Sequence, residues 1–416
     1  MQISIIEFSV ENFMVFKNKA TFSMFSRKNE KHTFESNGEN LLKTSFIYGP
    51  NACGKTSILR AFLNLRQGML FSANNKENSG LPFFPFLASA DNLTKPSFFE
   101  LVFSIIGENQ GIYRYNFSYL KNHIVTENMS KVSSGGTEEV YISRNEQKID
   151  IGKIFSDVDV ILNNTRKDAL FISQAALFNS PFALSIMDAL KKIDVIFDHQ
   201  QIQDYTIEMF KENPEFKNKI LEYLKKADFC ISGGRTVEVD QPVFNITNER
   251  GEFSTTNSIK KGNILYLEHS KYDENNKKTG TFELPIHEES NGTQNFLSIL
   301  GPVINVLNEG RVLFIDEFDN SLHPILTKFI VDLFESAVIN KNNAQLIVTT
   351  HDTSLLSYKD EFIKDQFWFT EKDEFGSAKL FSLADFKTGI RNDTEFSKKY
   401  LEGRFGALPF IQSIEK

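Results

Sequence analysis

The chain has 416 residues, of which 24% are charged and 41% hydrophobic, and a formal net charge of −8 at pH 7. That balance is ordinary for a globular protein, and it supplies no global positive field for nucleic acid; any DNA or RNA contact would need a local basic patch. Cys53 and Cys230 are the only cysteines, which excludes a disulfide framework and a four-cysteine metal centre.

The opening stretch MQISIIEFSVENF alternates apolar and polar residues and carries acids, so it reads as a strand and not as a signal peptide. With KATFSMF it predicts two strands joined near Lys17-Asn18. Arg27 to Glu39 is polar and predicts a loop. TSFIYG (44–49) predicts a buried strand running into a glycine-bounded loop. SILRAFLNL (57–65) follows with Ile58, Phe62 and Leu65 on one helical side. SFFELVFSI, IYRYNFSYL, HIVTENM and EVYISR, within 97–144, predict an antiparallel subdomain inserted after that helix, with turns at Gly107–Gly111 and Ser133–Gly136.

Residues 183–229 carry apolar side chains three and four apart and predict helices, broken at Glu212-Asn213-Pro214. From residue 260 an α/β pattern returns. NILYLEHS and GTFELPI predict a hairpin, RVLFIDEFD (311–319) a buried strand ending in acids, and LTKFIVDLFESAV (326–338) a helix. AQLIVTTHD (344–352) predicts another buried strand, and DQFWFTEKDEFGSAKLFSL a final hairpin through Gly376. The expected division is 1–180, 181–260 as a helical insertion, and 261–416. No apolar run approaches the ~18 residues of a membrane span, so the expected location is the cytoplasm. The 41 Phe, against 11 Tyr and one Trp, predict an aromatic-packed core.

Gly49-Pro50-Asn51-Ala52-Cys53-Gly54-Lys55-Thr56 fits G-x4-G-K-[ST]. Such a loop before a helix wraps phosphates in backbone N–H groups. Lys55 would place its charge on the β/γ-phosphates, and the Thr56 hydroxyl, with Ser57 beside it, would serve Mg²⁺ and nucleotide. Val312–Ile315 followed by Asp316-Glu317 is an apolar strand ending in paired acids, at the strand end where open α/β sheets bind ligands. Asp316 would hold the Mg²⁺ shell, and Glu317 would polarise the attacking water. ATP and Mg²⁺ are the expected ligands.

At this point the residues match a family. The sequence resembles the ABC ATPases of the SMC, RecF and OLD type, and most closely their small AAA-named bacterial relatives. Ile315-Asp316-Glu317-Phe318-Asp319 through His323-Pro324 looks like the family's Walker B and D-loop. Thr349-Thr350-His351-Asp352 is similar to its switch histidine, and Glu289-Ser290-Asn291-Gly292-Thr293-Gln294 to a degenerate signature. The resemblance implies an ABC-ATPase P-loop fold of α/β class, with a mixed central sheet, an inserted antiparallel β-subdomain and a helical lobe.

It also implies a sandwich of two chains, in which Ser290, Gly292 and Gln294 face the γ-phosphate held by the other copy. His351 would contact that phosphate and Asp319 would couple the two sites. Gln174, in ALFISQAALF, fits the family's lobe-interface glutamine near the metal. Met14 stands where many relatives have Arg near the nucleotide, and Arg27 or Lys28 is offered in its place. Cys53 stands where Ser or Gly is common, as a small filler.

The tract from DQFWF to YLEGRFGALPF resembles the ATPase subunits of RloA type and of the PARIS anti-phage system. The implied function is an ATPase switch in bacterial defence, with a separate effector of TOPRIM-nuclease type and a phage protein as trigger. The alternative is a RecF-like repair ATPase that binds DNA directly. The stretch 352–416 is shorter than a domain of roughly 100 residues and contains no Asp-x-Asp, so no nuclease activity is expected of this chain itself.

Overall fold

The computed structural model describes residues 1–26, 31–76, 80–133, 135–155, 158–198, 202–227, 229–249, 252–358, 361–386 and 396–407, with backbone alone for 241–249 and 252–260. Arg27 and Lys28 lie outside the described residues, as do Leu408, Pro409 and Phe410.

In chain order the first elements are β1 (Gln2–Glu11), β2 (Ala20–Ser23), β3 (Thr33–Ser36), β4 (Glu39–Leu42), β5 (Thr44–Tyr48) and α1 (Lys55–Phe71). Next come β6 (Ser97–Ile106), β7 (Gly111–Leu120), β8 (His123–Val132), β9 (Glu138–Asn145) and β10 (Lys148–Ile151). They lead into α2 (Val158–Asn164), α3 (Phe171–Leu177), α4 (Pro181–Leu190) and β11 (Ile193–Ile196). Then follow α5 (Gln203–Glu212), α6 (Pro214–Lys226), β12 (Ile231–Glu249), β13 (Glu252–Tyr272), β14 (Lys278–Pro285) and α7 (Asn291–Glu309). The last are β15 (Val312–Ile315), α8 (Pro324–Glu335), β16 (Gln345–Thr349), β17 (Phe367–Lys372), β18 (Ala378–Ser382) and α9 (Phe396–Leu401).

The chain forms two compact units. The first comprises Met1–Phe197, Val306–Asp319 and Ile330–Lys416; the second comprises Asp198–Asn305 and Asn320–Phe329.

The first unit holds two main sheets. A six-stranded mixed sheet runs β11-β15-β16-β5-β17-β18, parallel except for β18. Its strands β5, β15 and β16 are buried at every residue, and each carries an apolar run, FIY, VLFI and LIV respectively. A seven-stranded antiparallel sheet runs β10-β9-β8-β7-β6-β1-β2. The inserted strands β6–β10 therefore continue the N-terminal pair, because β6 pairs along nearly the whole of β1. Gln345, buried at the start of β16, joins the two sheets. Its side chain donates to the Ile5 and Leu42 carbonyls, each at 3.1 Å, and accepts from the Ile5 N–H at 2.7 Å.

The phenylalanines pack this core. Phe62 of α1 stacks on Phe314 of β15 with ring centroids 4.4 Å apart, and Phe8 of β1 meets Phe62 edge-on at 5.3 Å. One stretch expected to be helical is not: Ile193–Ile196 forms β11, in register with Val312–Ile315. Its buried ends, Ile193 and Ile196, are three residues apart, a helical spacing that hides an edge strand among helical neighbours.

A buried ion pair organises the antiparallel sheet. Glu127 of β8 and Arg144 of β9 are cross-strand partners with 3.5 Å between Oε2 and Nη1, both side chains fully enclosed. The Glu127 carboxylate also accepts the Tyr115 hydroxyl at 2.9 Å and the N–H groups of Phe171 (2.7 Å) and Ile172 (3.0 Å). It thus caps α3, whose N-cap residue Leu170 supplies no side-chain acceptor. Arg144 donates to the carbonyls of Glu146 and Ala169.

The second unit contains α5, α6 and the three-stranded antiparallel sheet β12-β13-β14. Asn213 caps α6 through its side chain, with Pro214 at the first helical position. Pro302 sits inside α7 and lacks the N–H that would reach the Ser298 carbonyl. Thr206 Oγ1 of α5 donates to that carbonyl at 2.9 Å, the shorter of its two carbonyl contacts. The approach requires glycine at 301, where a Cβ would fall on Thr206 Oγ1.

The Glu127–Arg144 pair generates a prediction. Arg144→Met should lower unfolding free energy by about 3–5 kcal/mol, because it strands a buried carboxylate. Urea denaturation measures this, and a loss below about 1 kcal/mol would show that the remaining donors suffice alone.

Candidate functional site

The phosphate-binding loop links the end of β5 to the start of α1. Its first glycine is sterically required: a Cβ at Gly49 would lie 2.5 Å from the Thr370 carbonyl oxygen and 2.6 Å from Cys53 Sγ. Cys53 is buried with its Sγ 2.5 Å from Thr370 Oγ1, which makes it a packed filler of the loop's inner side. Thr370 Oγ1 also lies 3.5 Å from the Tyr48 carbonyl, so β17 braces both flanks of the loop.

Pro50 is partly exposed, and Asn51 and Ala52 form the exposed crest, Ala52 in the left-handed region at φ 59°. Gly54 precedes α1 and offers no side-chain cap, so the first N–H groups of α1 remain for an anion. Thr56 and Ser57 stand in that first turn, Ser57 buried and Thr56 half-buried.

Lys55 is buried, and its Nζ donates to the carbonyls of Gly49 (2.8 Å) and Pro50 (3.0 Å). Burial draws its ammonium below the ordinary lysine range, while Cys53, Asp316, Asp319 and Glu317 pull the other way. Among the described residues no carboxylate forms an ion pair with it, and a polyphosphate would supply that close anionic partner.

The acids stand two strands away, because β16 lies between β5 and β15. Asp316 is buried and Glu317 exposed. Between them works Thr349 at the end of β16. Its hydroxyl donates to Asp316 Oδ1 at 2.5 Å and accepts the Glu317 N–H at 2.9 Å. Glu317 itself sits at φ 48°, a left-handed conformation uncommon outside glycine that turns the chain sharply at the strand end.

Both carboxylate oxygens of Asp319 accept the His351 N–H at 3.2 Å. The His351 ring is exposed on one side. Partial burial holds it below the usual histidine range, and the Lys55 charge adds to this, against Asp319, Glu317 and Asp316.

Lys55, Asp316, Glu317, Asp319 and His351 are therefore near enough to perturb one another, within one unit. Gln174 is buried on α3, and its side chain forms no hydrogen bond with a described residue. No three His, Cys, Asp or Glu side chains gather as a metal cage among the described residues. A hard cation here would rest on Thr56 and Asp316, taking its other ligands from phosphate and water.

The signature residues belong to the second unit. The Ser290 hydroxyl accepts the Thr293 N–H at 3.1 Å and so caps α7. Gln294 Nε2 donates to the Glu289 carbonyl at 2.8 Å. Gly292 faces the Ser321 carbonyl, 3.3 Å from where a Cβ would stand. Glu289 is paired with His269 of β13, with 2.6 Å between Oε1 and Nε2. Sequence reasoning missed the roles of Thr370, Tyr48 and the Thr349 hydroxyl. The one available signal was a polar residue inside an otherwise buried apolar strand.

Two expected outcomes follow. Lys55→Ala should weaken ATP binding at least about tenfold, the scale of one lost charged hydrogen bond, as measured by calorimetry; unaltered affinity would remove the loop from the binding site. Thr349→Val should cost about 0.5–1.5 kcal/mol of stability through the lost hydrogen bonds to Asp316 and the Glu317 N–H. It should also slow turnover, since it frees the Glu317 backbone; a variant with full turnover would show that Glu317 needs no such anchor.

A family model described as "AAA domain, putative AbiEii toxin, Type IV TA system" matches residues 45–357, from β5 to the turn beyond His351. No curated protein sequence matches the chain. Among solved structures, the chain is similar to an SMC head bound to the C-terminal winged-helix domain of ScpA. The TM-score is 0.43 at 17% identity, covering 91% of this chain and 97% of that one. With its family model matched over three quarters of its length, the chain belongs to this AAA-domain family, and it carries its G-x4-G-K-T loop on a mixed α/β fold.

Proposed function

We propose that the chain binds Mg-ATP through Gly49–Ser57 and hydrolyses it between two copies of itself. The observation that carries this reading is the convergence of the Lys55 ammonium, the Asp316, Glu317 and Asp319 carboxylates and the His351 ring around the ends of β5, β15 and β16. Lys55 and the free N–H groups of α1 hold the β/γ-phosphates. Thr56 and Asp316, together with Gln174, would hold Mg²⁺, which would neutralise charge on the phosphates when bound. Glu317 accepts a hydrogen bond from water and aims it at the γ-phosphorus. The water oxygen–phosphorus bond forms as the β–γ bridge breaks, releasing ADP and phosphate.

Protonated or neutral, the His351 ring can hydrogen-bond a γ-phosphate oxygen; its lowered range keeps it neutral near pH 7, where Nδ1–H or Nε2–H donates. In the sandwich, Ser290, Gly292 and Gln294 of one copy face the γ-phosphate bound by the other. Asp319 couples the two sites through its grip on the His351 backbone. Triphosphate then favours the closed pair and diphosphate the open one, so nucleotide state becomes a two-state signal.

The signal's output is control of a separate cytoplasmic effector of TOPRIM-nuclease type in bacterial anti-phage defence, with a phage protein as trigger. The net charge of −8 and the lack of a coiled-coil heptad run favour this over direct work on DNA ends. Among the described residues no helix is long and apolar enough to cross a membrane.

Glu317→Gln tests the core of the proposal. It should keep ATP affinity while turnover falls by about 10²–10⁴-fold, and sizing with ATP should show a larger species than without. A variant that stays at monomer size with saturating ATP would sink the sandwich. A neighbouring gene encoding a permease instead of a nuclease-like protein would sink the defence assignment.

A further inference from the structure

We infer that Tyr48 is a positioning residue for His351: its hydroxyl, reaching from the strand that ends in the phosphate-binding loop, holds the Asp352 carbonyl and so sets the switch turn beside Lys55. This deepens the hydrolytic reading above and rests on it for its catalytic consequence.

The observation begins with where backbone pairing stops. Strands β5 and β16 pair in parallel from Leu346 and Thr44 to Thr349 and Ile47, and the Thr350 N–H to Ile47 carbonyl bond, at 3.1 Å, closes the ladder. Beyond it the chain turns away through His351 and Asp352. Tyr48 is the next residue on β5, and its Oη donates to the Asp352 carbonyl at 3.1 Å. A side chain thus continues the pairing where the backbone can no longer do so.

The remaining bonds of the turn come from elsewhere. Asp319 accepts the His351 N–H; Thr350 Oγ1 accepts the Asp352 N–H at 2.9 Å; and the Asp352 carboxylate accepts the Ser354 N–H and hydroxyl at 2.8 and 2.7 Å. Beyond the ladder, Tyr48 supplies the side-chain tie between this turn and the residue next to Gly49.

The choice of tyrosine needs explaining, since the position is fully buried at the end of an apolar strand. Its ring lies among Phe367, Phe369 and Tyr400, with centroids 5.9 to 6.3 Å away, where phenylalanine would pack equally well. A buried hydroxyl is costly unless it is bonded, so its one hydrogen-bond partner among the described residues gives the reason for its presence. Burial, with Asp352 and Asp319 nearby, pushes the phenol well above its ordinary range and keeps it a donor at any physiological pH. Tyr400 of α9 packs on the same ring, so α9 backs the Tyr48 side of this contact, and Ser397 of α9 accepts the Ser357 hydroxyl at 2.9 Å farther along the chain.

Tyr48→Phe removes the hydroxyl and leaves the ring. We expect kcat to fall roughly 3–10-fold, the worth of one neutral hydrogen bond, with KM for ATP unchanged. In a His351→Ala background the same substitution should have no further effect. A second readout needs no turnover: the His351 ring titration, followed by NMR in the nucleotide-free protein and assigned by its loss in His351→Ala. It should return toward the ordinary histidine range in Tyr48→Phe as the ring leaves its partly buried seat and the Lys55 charge.

An equal kcat loss with and without His351 would overturn the inference, as would an unmoved ring titration or a parallel loss of ATP affinity. Should the wild-type chain show no ATPase activity, the hydrolytic reading fails, and the ring titration alone decides the position of His351.

Discussion

In-register parallel pairing of β5, β16 and β15 is the constraint from which the site follows. Ile315 lies opposite Val348, and Val348 opposite Phe46, so the three strands finish nearly level. The loop after β5, the acids after β15 and the histidine after β16 then emerge at one edge, although they are far apart in sequence. The apolar strands beneath exclude water from one side of every charged group. That burial lowers Lys55 and His351 together and leaves each dependent on its neighbours. Slipping β16 by one residue would turn Thr349 from Asp316 and send its hydroxyl to the opposite face.

The chemistry-bearing segments were legible because buried parallel strands produce a sharp signal, several apolar residues and then abruptly polar ones. TSFIYG, VLFIDE and LIVTTHD all show it. Strand order was not legible: nothing local says that the histidine strand separates the loop strand from the acid strand. β11 was lost because its buried residues, Ile193 and Ile196, stand three apart with half-buried Asp194 and Val195 between them, which mimics helical periodicity over four positions. Glu127 and Arg144 were invisible for another reason. Each reads as a polar position on an alternating strand, and only the β8–β9 register makes them partners.

The two parts of the proposed nucleotide site are built differently. The loop and acids rest on buried strands and bond to one another. The Ser290 turn rests on a helix start, and its polar groups are already satisfied locally, the hydroxyl by the Thr293 N–H and Gln294 by the Glu289 carbonyl. Such a turn is ordered before any phosphate arrives, which reduces the entropy lost on closure. His269 ties the same turn to β13 through Glu289, so the long β12–β13 hairpin is attached at its base to the residue preceding Ser290.

Proline in mid-helix usually leaves a carbonyl without a donor, and the helix can flex there. In α7 the vacant rung beneath Pro302 is filled by a hydroxyl from another helix, and Gly301 lets the two backbones come close enough to allow it. The consequence is mechanical. A turn that would otherwise have no restraint at Pro302 is fastened to a second helix, which stiffens α7 against bending there.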